Sequence, residues 1–216
     1  MSQALSNLNV ENKFVLDVGC GNTPFIELFQ ESSLVNCDIY PYPEVDIVCD
    51  LSKDNVFKLE VFDIIVLSNM LEHVEYPREF MKSLCSILKP GGHVIITVPF
   101  LLAIHQVPYD FQRFTRFGLD SLMKSSGLEI TMFNSFADAN VLTQEFAYLA
   151  RREIDQYPNS IKKSFAKFLA YIRSGVASRT QYLIRKLLNI PDISSGDGIS
   201  PYGYMLIARK IHPTGV

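Results

Sequence analysis

Residues 13–24 read KFVLDVGCGNTP. KFVLDVG (13–19) is a short apolar run of β-branched and aromatic residues that ends on a glycine, the pattern of a buried strand. Thr23 then suits a helix N-cap and Pro24 the first helical position, where its missing N–H costs nothing. A helix is therefore expected over TPFIELFQ (23–30). A buried strand that opens through glycines onto a helix is the first half of a parallel α/β unit.

The alternation continues along the chain. LVNCDI (34–39), VDIVCDL (45–51) and FDIIVLS (62–68) read as further strands. Between Arg78 and Leu88 the apolar residues fall at 80, 81, 84, 87 and 88, a helical stripe, and LKPGG (88–92) reads as its stop. HVIITVP (93–99) is the next strand. RFGLDSLMKSSG (116–127) is expected to be a helix capped by Thr115 and ended by Gly127, followed by strands LEITMFNSF (128–136) and YMLIARK (204–210). Strands alternating with helices at this spacing predict an α/β fold, a parallel sheet with helices on both faces. Residues 140–189 read as a helical insert, broken at YPNS (157–160), ahead of the last strand. With 216 residues, a single domain spanning 1–216 is expected, the insert lying within it.

Composition narrows the classes. The chain is 48% hydrophobic and 20% charged, with 11 Gly and 11 Pro, which fits a globular protein and excludes disordered or collagen-like chains. MSQALSNLNVENKF has no basic start followed by an apolar run, and the longest nearly apolar stretch, Val94 to Ile104, contains Pro99 and is short of the ~20 residues of a membrane span. A soluble cytoplasmic chain is the expectation. The four cysteines (20, 37, 49, 85) form no CxxC pair and the four histidines no HxxxH pair, so no metal site is expected and the cysteines read as small core residues. Residues 151–189 carry nine Lys/Arg against Glu153 and Asp155, a balance of +7 that leaves −10 for the rest of a chain whose net charge is −3.

The strand-end acids and glycines suggest a nucleotide site. Asp17, Gly19 and Gly21 stand where the first strand opens, and Asp38 follows Gly19 by 19 positions, at the end of the next strand. Glycines let backbone approach a ligand, and an acid at that distance accepts from ribose hydroxyls. A dinucleotide fingerprint, GxGxxG, would need a third glycine where Pro24 stands, which disfavours a nicotinamide-dependent oxidoreductase.

LDVGCGNTP resembles motif I of the class I S-adenosylmethionine-dependent methyltransferases, in the manner of the small type 11-like members. VCDLSK, FDIIVLSNMLEHVEYP and LKPGGHVIITVP resemble the segments that follow it in that family, in the same order. The resemblance covers roughly 13–135 and the final strand. It implies a Rossmann-like seven-stranded sheet in the order 3-2-1-4-5-7-6 with strand 7 antiparallel, and S-adenosyl-L-methionine as cofactor. Under it, Gly19 and Gly21 would pass beneath the cofactor, and Asp17 would hold its ammonium through water. Asp38 would take the ribose hydroxyls, Asp50 would face the adenine amino group with Leu51 against the ring, and Ser68 and Asn69 would line the methionine end. Thr23 stands where the common GxGxG form has its third glycine.

A sulfonium methyl is already electrophilic, so such an enzyme aligns acceptor, methyl and sulfur and excludes water, adding a base only where the acceptor must lose a proton. Ligands of open α/β sheets sit beyond the carboxyl ends of the strands, which places the acceptor near 69–75 and 99–115. In the second segment, HQVPYDFQRFT (105–115) offers His105, whose ordinary pKa of ~6.5 suits proton removal, and Arg113, whose planar fork suits an anionic group. His105 is expected to be the base and Arg113 to orient the acceptor. His73 is a further catalytic candidate near the methyl, beside Glu72. Asp110 and Arg113 would pair if the loop held a helical turn, and Phe111, Phe114 and Phe117, three apart, are expected to anchor it to the core.

The reading is methyl transfer to a small-molecule, glycan or lipid-linked acceptor. Its rivals are a catalytically silent methyltransferase-like binding domain and the oxidoreductase. The basic stretch 151–189 reads as a lid, a homodimer surface or a peripheral contact with an anionic surface. No nucleic-acid partner is expected, because the chain is acidic overall and no stacking motif accompanies the basic residues.

Overall fold

The computed structural model describes residues 8–22, 26–54, 56–136 and 202–211, with positions 149, 152, 163–164 and 166–168. Seven strands, β1 (Phe14–Val18), β2 (Ser33–Asp38), β3 (Ile47–Val48), β4 (Phe62–Ser68), β5 (Leu88–Pro99), β6 (Leu128–Phe136) and β7 (Gly203–Lys210), form one sheet. Their order is β3-β2-β1-β4-β5-β7-β6, with β7 antiparallel, the Rossmann-like arrangement that the resemblance implied. β1 pairs in parallel with β2 and β4, and β4 with β5.

The side chains explain why the central strands read as continuous apolar runs. Leu16 and Val18 of β1, Ile65 and Leu67 of β4, Val94, Ile96 and Val98 of β5, and Leu206 and Ala208 of β7 enter one core. The residues between them, Val15, Ile64, Val66, Ile95, Met205 and Ile207, enter a second core on the opposite face. A strand wetted on neither side has no reason to alternate. Helices α1 (Pro77–Ile87) and α2 (Arg116–Ser125) both pack into the first core, through Phe80, Met81, Leu84, Leu119, Leu122 and Met123. The second core takes Phe29, Leu8, Val10 and Leu28.

Three local expectations change. Among the described residues the segment after β1 holds one 3-10 turn, Ile26–Leu28, instead of a longer helix; Thr23, its expected cap, lies outside the described residues. Among the described residues of this segment Phe29 alone is sunk fully into a core, and a turn from Phe29 to Ser32 leads directly into β2. A single buried anchor does not impose the multi-residue apolar stripe that stabilises a helix. β3 shrinks to two residues because Asp46 takes over the ladder: its Oδ2 accepts from Asn36 N at 2.8 Å while its own N–H donates to Asn36 O at 2.9 Å.

LKPGG, expected as a helix stop, belongs to β5. Helix α1 ends at Ile87, and Leu88 already faces Phe62. The register then slips between Phe62 and Ile64, so that residues 89–92 bulge before His93 pairs with Ile64. A Cβ on Gly92 would lie 2.9 Å from the carbonyl oxygens of Asp63 and Lys89, which leaves room for glycine alone. Helix α2 forms as expected: Thr115 Oγ1 accepts from Gly118 N at 3.1 Å and caps it.

The chain divides into two compact units. The first comprises Met1–Phe100, His105–Asn134 and Tyr204–Val216, and carries most of the sheet and every residue expected in the site. The second comprises Leu101–Ile104 and Ser135–Gly203. Within it Tyr202 N donates to Phe136 O at 3.0 Å, and the described positions 149, 152, 163, 164 and 166–168 are helical. The expected insert 140–189 otherwise lies outside the described residues. No helix of the described residues is long and apolar enough to cross a membrane.

Candidate active site

Two clusters sit beyond the carboxyl ends of the parallel strands. The first is built on β1 and β2. Gly19 (φ +71°) and Gly21 (φ +60°) both adopt the left-handed conformation that favours glycine. The Gly19 and Cys20 amides donate to Cys37 O at 2.8 and 3.3 Å. Asp38, 8% exposed, accepts from Gly21 N through Oδ2 and from Tyr40 N through Oδ1, each at 2.9 Å. A carboxylate oxygen has two acceptor sites, so each still has one for a ligand hydroxyl. Asp17 is buried at the end of β1, in register with Asn36 and Val66.

The adenine-side candidates follow β3. Leu51 is buried in the main core. Asp50 accepts from Ser52 N at 3.0 Å and pairs with Lys53 Nζ at 2.8 Å. Burial raises its pKa, but Lys53 and Ser52 outweigh burial and hold the carboxyl below its ordinary value. At the end of β4, Ser68 Oγ lies 3.0 Å from Thr97 Oγ1, and Asn69 (φ +47°) donates its N–H to Thr97 O at 2.9 Å, turning the chain off the sheet. Met70 then lies against the glycine turn: a Cβ on Gly19 would sit 2.6 Å from Met70 Cγ.

The second cluster joins the turn Leu71–His73 to the loop after β5. The Glu72 carbonyl accepts from the Phe111 and Gln112 amides at 3.0 and 3.2 Å, and His73 Nδ1–H donates to Tyr109 O at 2.7 Å. That bond leaves His73 Nε2 as a lone pair, and this buried atom has no hydrogen-bond partner among the described residues. Neither carboxylate oxygen of Glu72, which is 0% exposed, has one either. Burial pushes the Glu72 carboxyl up to about 7. Burial also lowers the pKa of His73, against the Tyr109 bond, and His105 adds to the lowering.

Asp110 is the hub of the loop. Its carboxylate accepts from both terminal nitrogens of Arg113 and from the backbone N–H of His105 at 2.9 Å, and it lies 3.2 Å from His105 Nδ1. The Arg113 bonds hold its carboxyl well below the usual carboxylate range, against burial. The Asp110–Arg113 pair therefore forms, but without a helical turn: residues 110–115 are irregular. For the same reason the phenylalanine spacing does not define a face. Phe114 is buried, while Phe111 and Phe117 are 43% and 83% exposed.

The structure brings His73 and His105 together, rings edge to face with centroids 4.9 Å apart. Glu72, His73 and His105 each offer a ligand atom within 4.8 Å of the others, so the three could share a divalent cation. Local spacing rules missed this grouping because its members come from two loops. Arg113 faces Asp110 and the Gln112 carbonyl, to which it donates at 2.8 Å. Asp110's hold on His105 escaped the sequence, whose one signal was its spacing from Arg113.

A family model described as a methyltransferase domain matches residues 2–132. The human mitochondrial ubiquinone biosynthesis O-methyltransferase is 26% identical over 140 residues, which are 52% of this chain and 38% of that protein. The chain thus matches well under half the length of this relative. Among solved structures, the Burkholderia thailandensis 1,6-didemethyltoxoflavin-N1-methyltransferase, with its acceptor and S-adenosylhomocysteine bound, superposes with a TM-score of 0.59 at 14% identity, over 98% of this chain and 76% of that one. The cyclase SpnF superposes with a TM-score of 0.58 at 15% identity, over 97% and 79%. Likeness at this level establishes the fold, and SpnF's name shows that the fold alone does not fix the reaction.

Proposed function

Because the chain belongs to the methyltransferase-domain family, we propose that it transfers a methyl group from S-adenosyl-L-methionine to a hydroxyl of a small-molecule, glycan or lipid-linked acceptor. The observation that carries this reading is Asp38 binding the Gly21 and Tyr40 amides, which fixes a glycine turn beside a carboxylate with acceptor sites to spare. Ribose hydroxyls would take those sites. Gly19 and Gly21 would run beneath the cofactor, Asp17 would serve its ammonium, Asp50 and Leu51 its adenine, and Ser68 and Asn69 its methionine end. The relative that methylates an oxygen in ubiquinone biosynthesis supports an O-acceptor.

His105 is the base in this reading. With its Nδ1 directed at Asp110, the arrangement by which a carboxylate fixes an imidazole tautomer, Nε2 would be the nitrogen that takes the acceptor's proton. The acceptor oxygen forms a bond to the methyl carbon, the carbon–sulfur bond breaks with its electron pair passing to sulfur, and the proton moves to His105. Arg113, locked on Asp110, shapes the loop that would orient the acceptor. His73 packs beside the base and limits its motion.

Calorimetric titration tests the cofactor. S-adenosylhomocysteine should bind and NAD should not. Binding of NAD alone would favour the oxidoreductase, and binding of neither would favour a silent binding domain. Screening acceptor pools for a cofactor-dependent gain of one methyl mass would identify the acceptor. The basic stretch 151–189 is where an anionic surface or a second copy of the chain would dock; flotation with anionic vesicles and sedimentation read those two outcomes.

A second reading is favoured by the partnerless Glu72 oxygens and His73 Nε2. A divalent cation held there with His105 would lower the pKa of a bound acceptor hydroxyl and replace the base. Dialysis against a chelator should then abolish both bound metal, read by mass spectrometry, and turnover. Unchanged turnover would exclude this reading.

A further inference from the structure

We propose that Cys37 and Cys49 form a redox pair: a peroxide joins them in a disulfide, and the bond loosens the glycine turn and weakens cofactor binding. The second half of this statement rests on the cofactor reading above. The first half rests on geometry alone.

Cys37 lies on β2 and Cys49 immediately follows β3, its neighbour in the sheet, and the two Sγ atoms are 3.1 Å apart with both thiols free. A disulfide requires ~2.05 Å, so the sulfurs need to approach by about 1 Å. Cys37 is 1% exposed, whereas Cys49 is only partly buried and is the thiol an oxidant reaches. Burial and the neighbouring Cys49 raise the pKa of the Cys37 thiol, so Cys37 is not the thiol oxidised first. In the first step hydrogen peroxide converts the Cys49 thiol to a sulfenic acid and is reduced to water. The Cys37 sulfur then attacks the sulfenic sulfur, a second water leaves, and the disulfide forms. Two thiol hydrogens and one peroxide yield one disulfide and two waters.

The neighbours of the pair make it consequential. Cys37 precedes Asp38, and Cys49 precedes Asp50. The Cys37 carbonyl accepts the Gly19 and Cys20 amides, and Cys49 N donates to Asp38 O at 3.0 Å. Drawing the two sulfurs together moves the backbone that holds the glycine turn and the carboxylate that would hold the ribose. Coupling is reciprocal, so a bound cofactor must oppose the disulfide as strongly as the disulfide opposes the cofactor.

The test uses the full chain treated with hydrogen peroxide, with and without S-adenosylhomocysteine, then alkylated and read by intact mass and non-reducing peptide mapping. Expected are a loss of two hydrogens, a Cys37–Cys49 cross-linked peptide, a roughly tenfold weaker S-adenosylhomocysteine affinity restored by dithiothreitol, and a pair made harder to oxidise by saturating ligand, by about 30 mV for that tenfold coupling. C49S and C49A should each prevent the mass change and keep the affinity indifferent to peroxide. No cross-link, a Cys20–Cys37 cross-link in its place, or a cross-link that leaves affinity within twofold would overturn the proposal. If the reduced protein binds no S-adenosylhomocysteine, the cofactor reading falls and takes the affinity claim with it, while peptide mapping still decides the pair.

Discussion

At the ends of β1 and β2 the polar grip is made of backbone: the Gly19, Cys20, Gly21 and Tyr40 amides are all taken by Cys37 O or by the Asp38 carboxylate. Between the turn after β4 and the loop after β5 the grip is partly made of side chains, with Asp110 holding Arg113 and His105, and His73 holding the Tyr109 carbonyl. The first construction needs one carboxylate and two glycines at fixed places. The second needs a set of long side chains to meet from separated positions, and it leaves the buried Glu72 carboxylate without a hydrogen-bond partner among the described residues. The difference is one of tolerance: the backbone-built corner fails if one residue changes, whereas the side-chain latch can be weakened by degrees.

Substitutions can break that contrast. The largest effect is expected at Asp38. D38A removes the acceptor of the Gly21 and Tyr40 amides and, under the proposed function, of the ribose hydroxyls, and bonds to a charged group are worth about 1.5–3 kcal/mol each. Affinity for S-adenosylhomocysteine should fall by roughly 100-fold or more by calorimetry, and a loss under threefold would remove Asp38 from the site.

Glu72 gives the next effect. Its folded-state pKa of about 7 stands above its ordinary value of 4.5. Between those values the folded chain holds a proton that the unfolded chain has released, so stability falls as pH rises through that window and levels off above it. The cost is about 2–3 kcal/mol by pH 7. In urea titrations E72Q should lack this decline, and parallel curves for the two proteins would refute it.

D110N should lower turnover about tenfold, a loss of roughly 1.4 kcal/mol in the barrier, while leaving S-adenosylhomocysteine affinity within twofold. Equal losses in turnover and affinity would show that the two constructions are not separable. The smallest effect is expected from T115A, which removes the cap of α2 and should cost about 1 kcal/mol of stability with no change in cofactor affinity.

How much of this was legible in the sequence follows the same division. β4 was bounded to the residue because four adjacent aliphatics admit few readings, and Thr115 was found because a cap acts on its own local backbone. The strand order came from the resemblance. LKPGG marked the helix end correctly, since α1 stops at Ile87, but Pro and Gly hid that β5 already begins at Leu88, and what places the bulge is the approach of the Asp63 carbonyl to Gly92. That Asp17 and Asp38 stand at strand ends was legible through spacing, because strand length fixes where a strand ends. Asp110's role was not, because its link to His105 depends on a loop path that no periodicity encodes. The Glu72, His73 and His105 grouping was hidden for the same reason.

The two loops proposed to flank the acceptor are stitched together through Glu72 O, with the amides of Phe111 and Gln112, and through His73 with Tyr109 O. For protein engineering this makes residues 71–73 and 105–113 one cassette. Altering acceptor preference by exchanging the second loop alone would orphan the Glu72 carbonyl and the His73 ring, so a working transplant has to carry both segments.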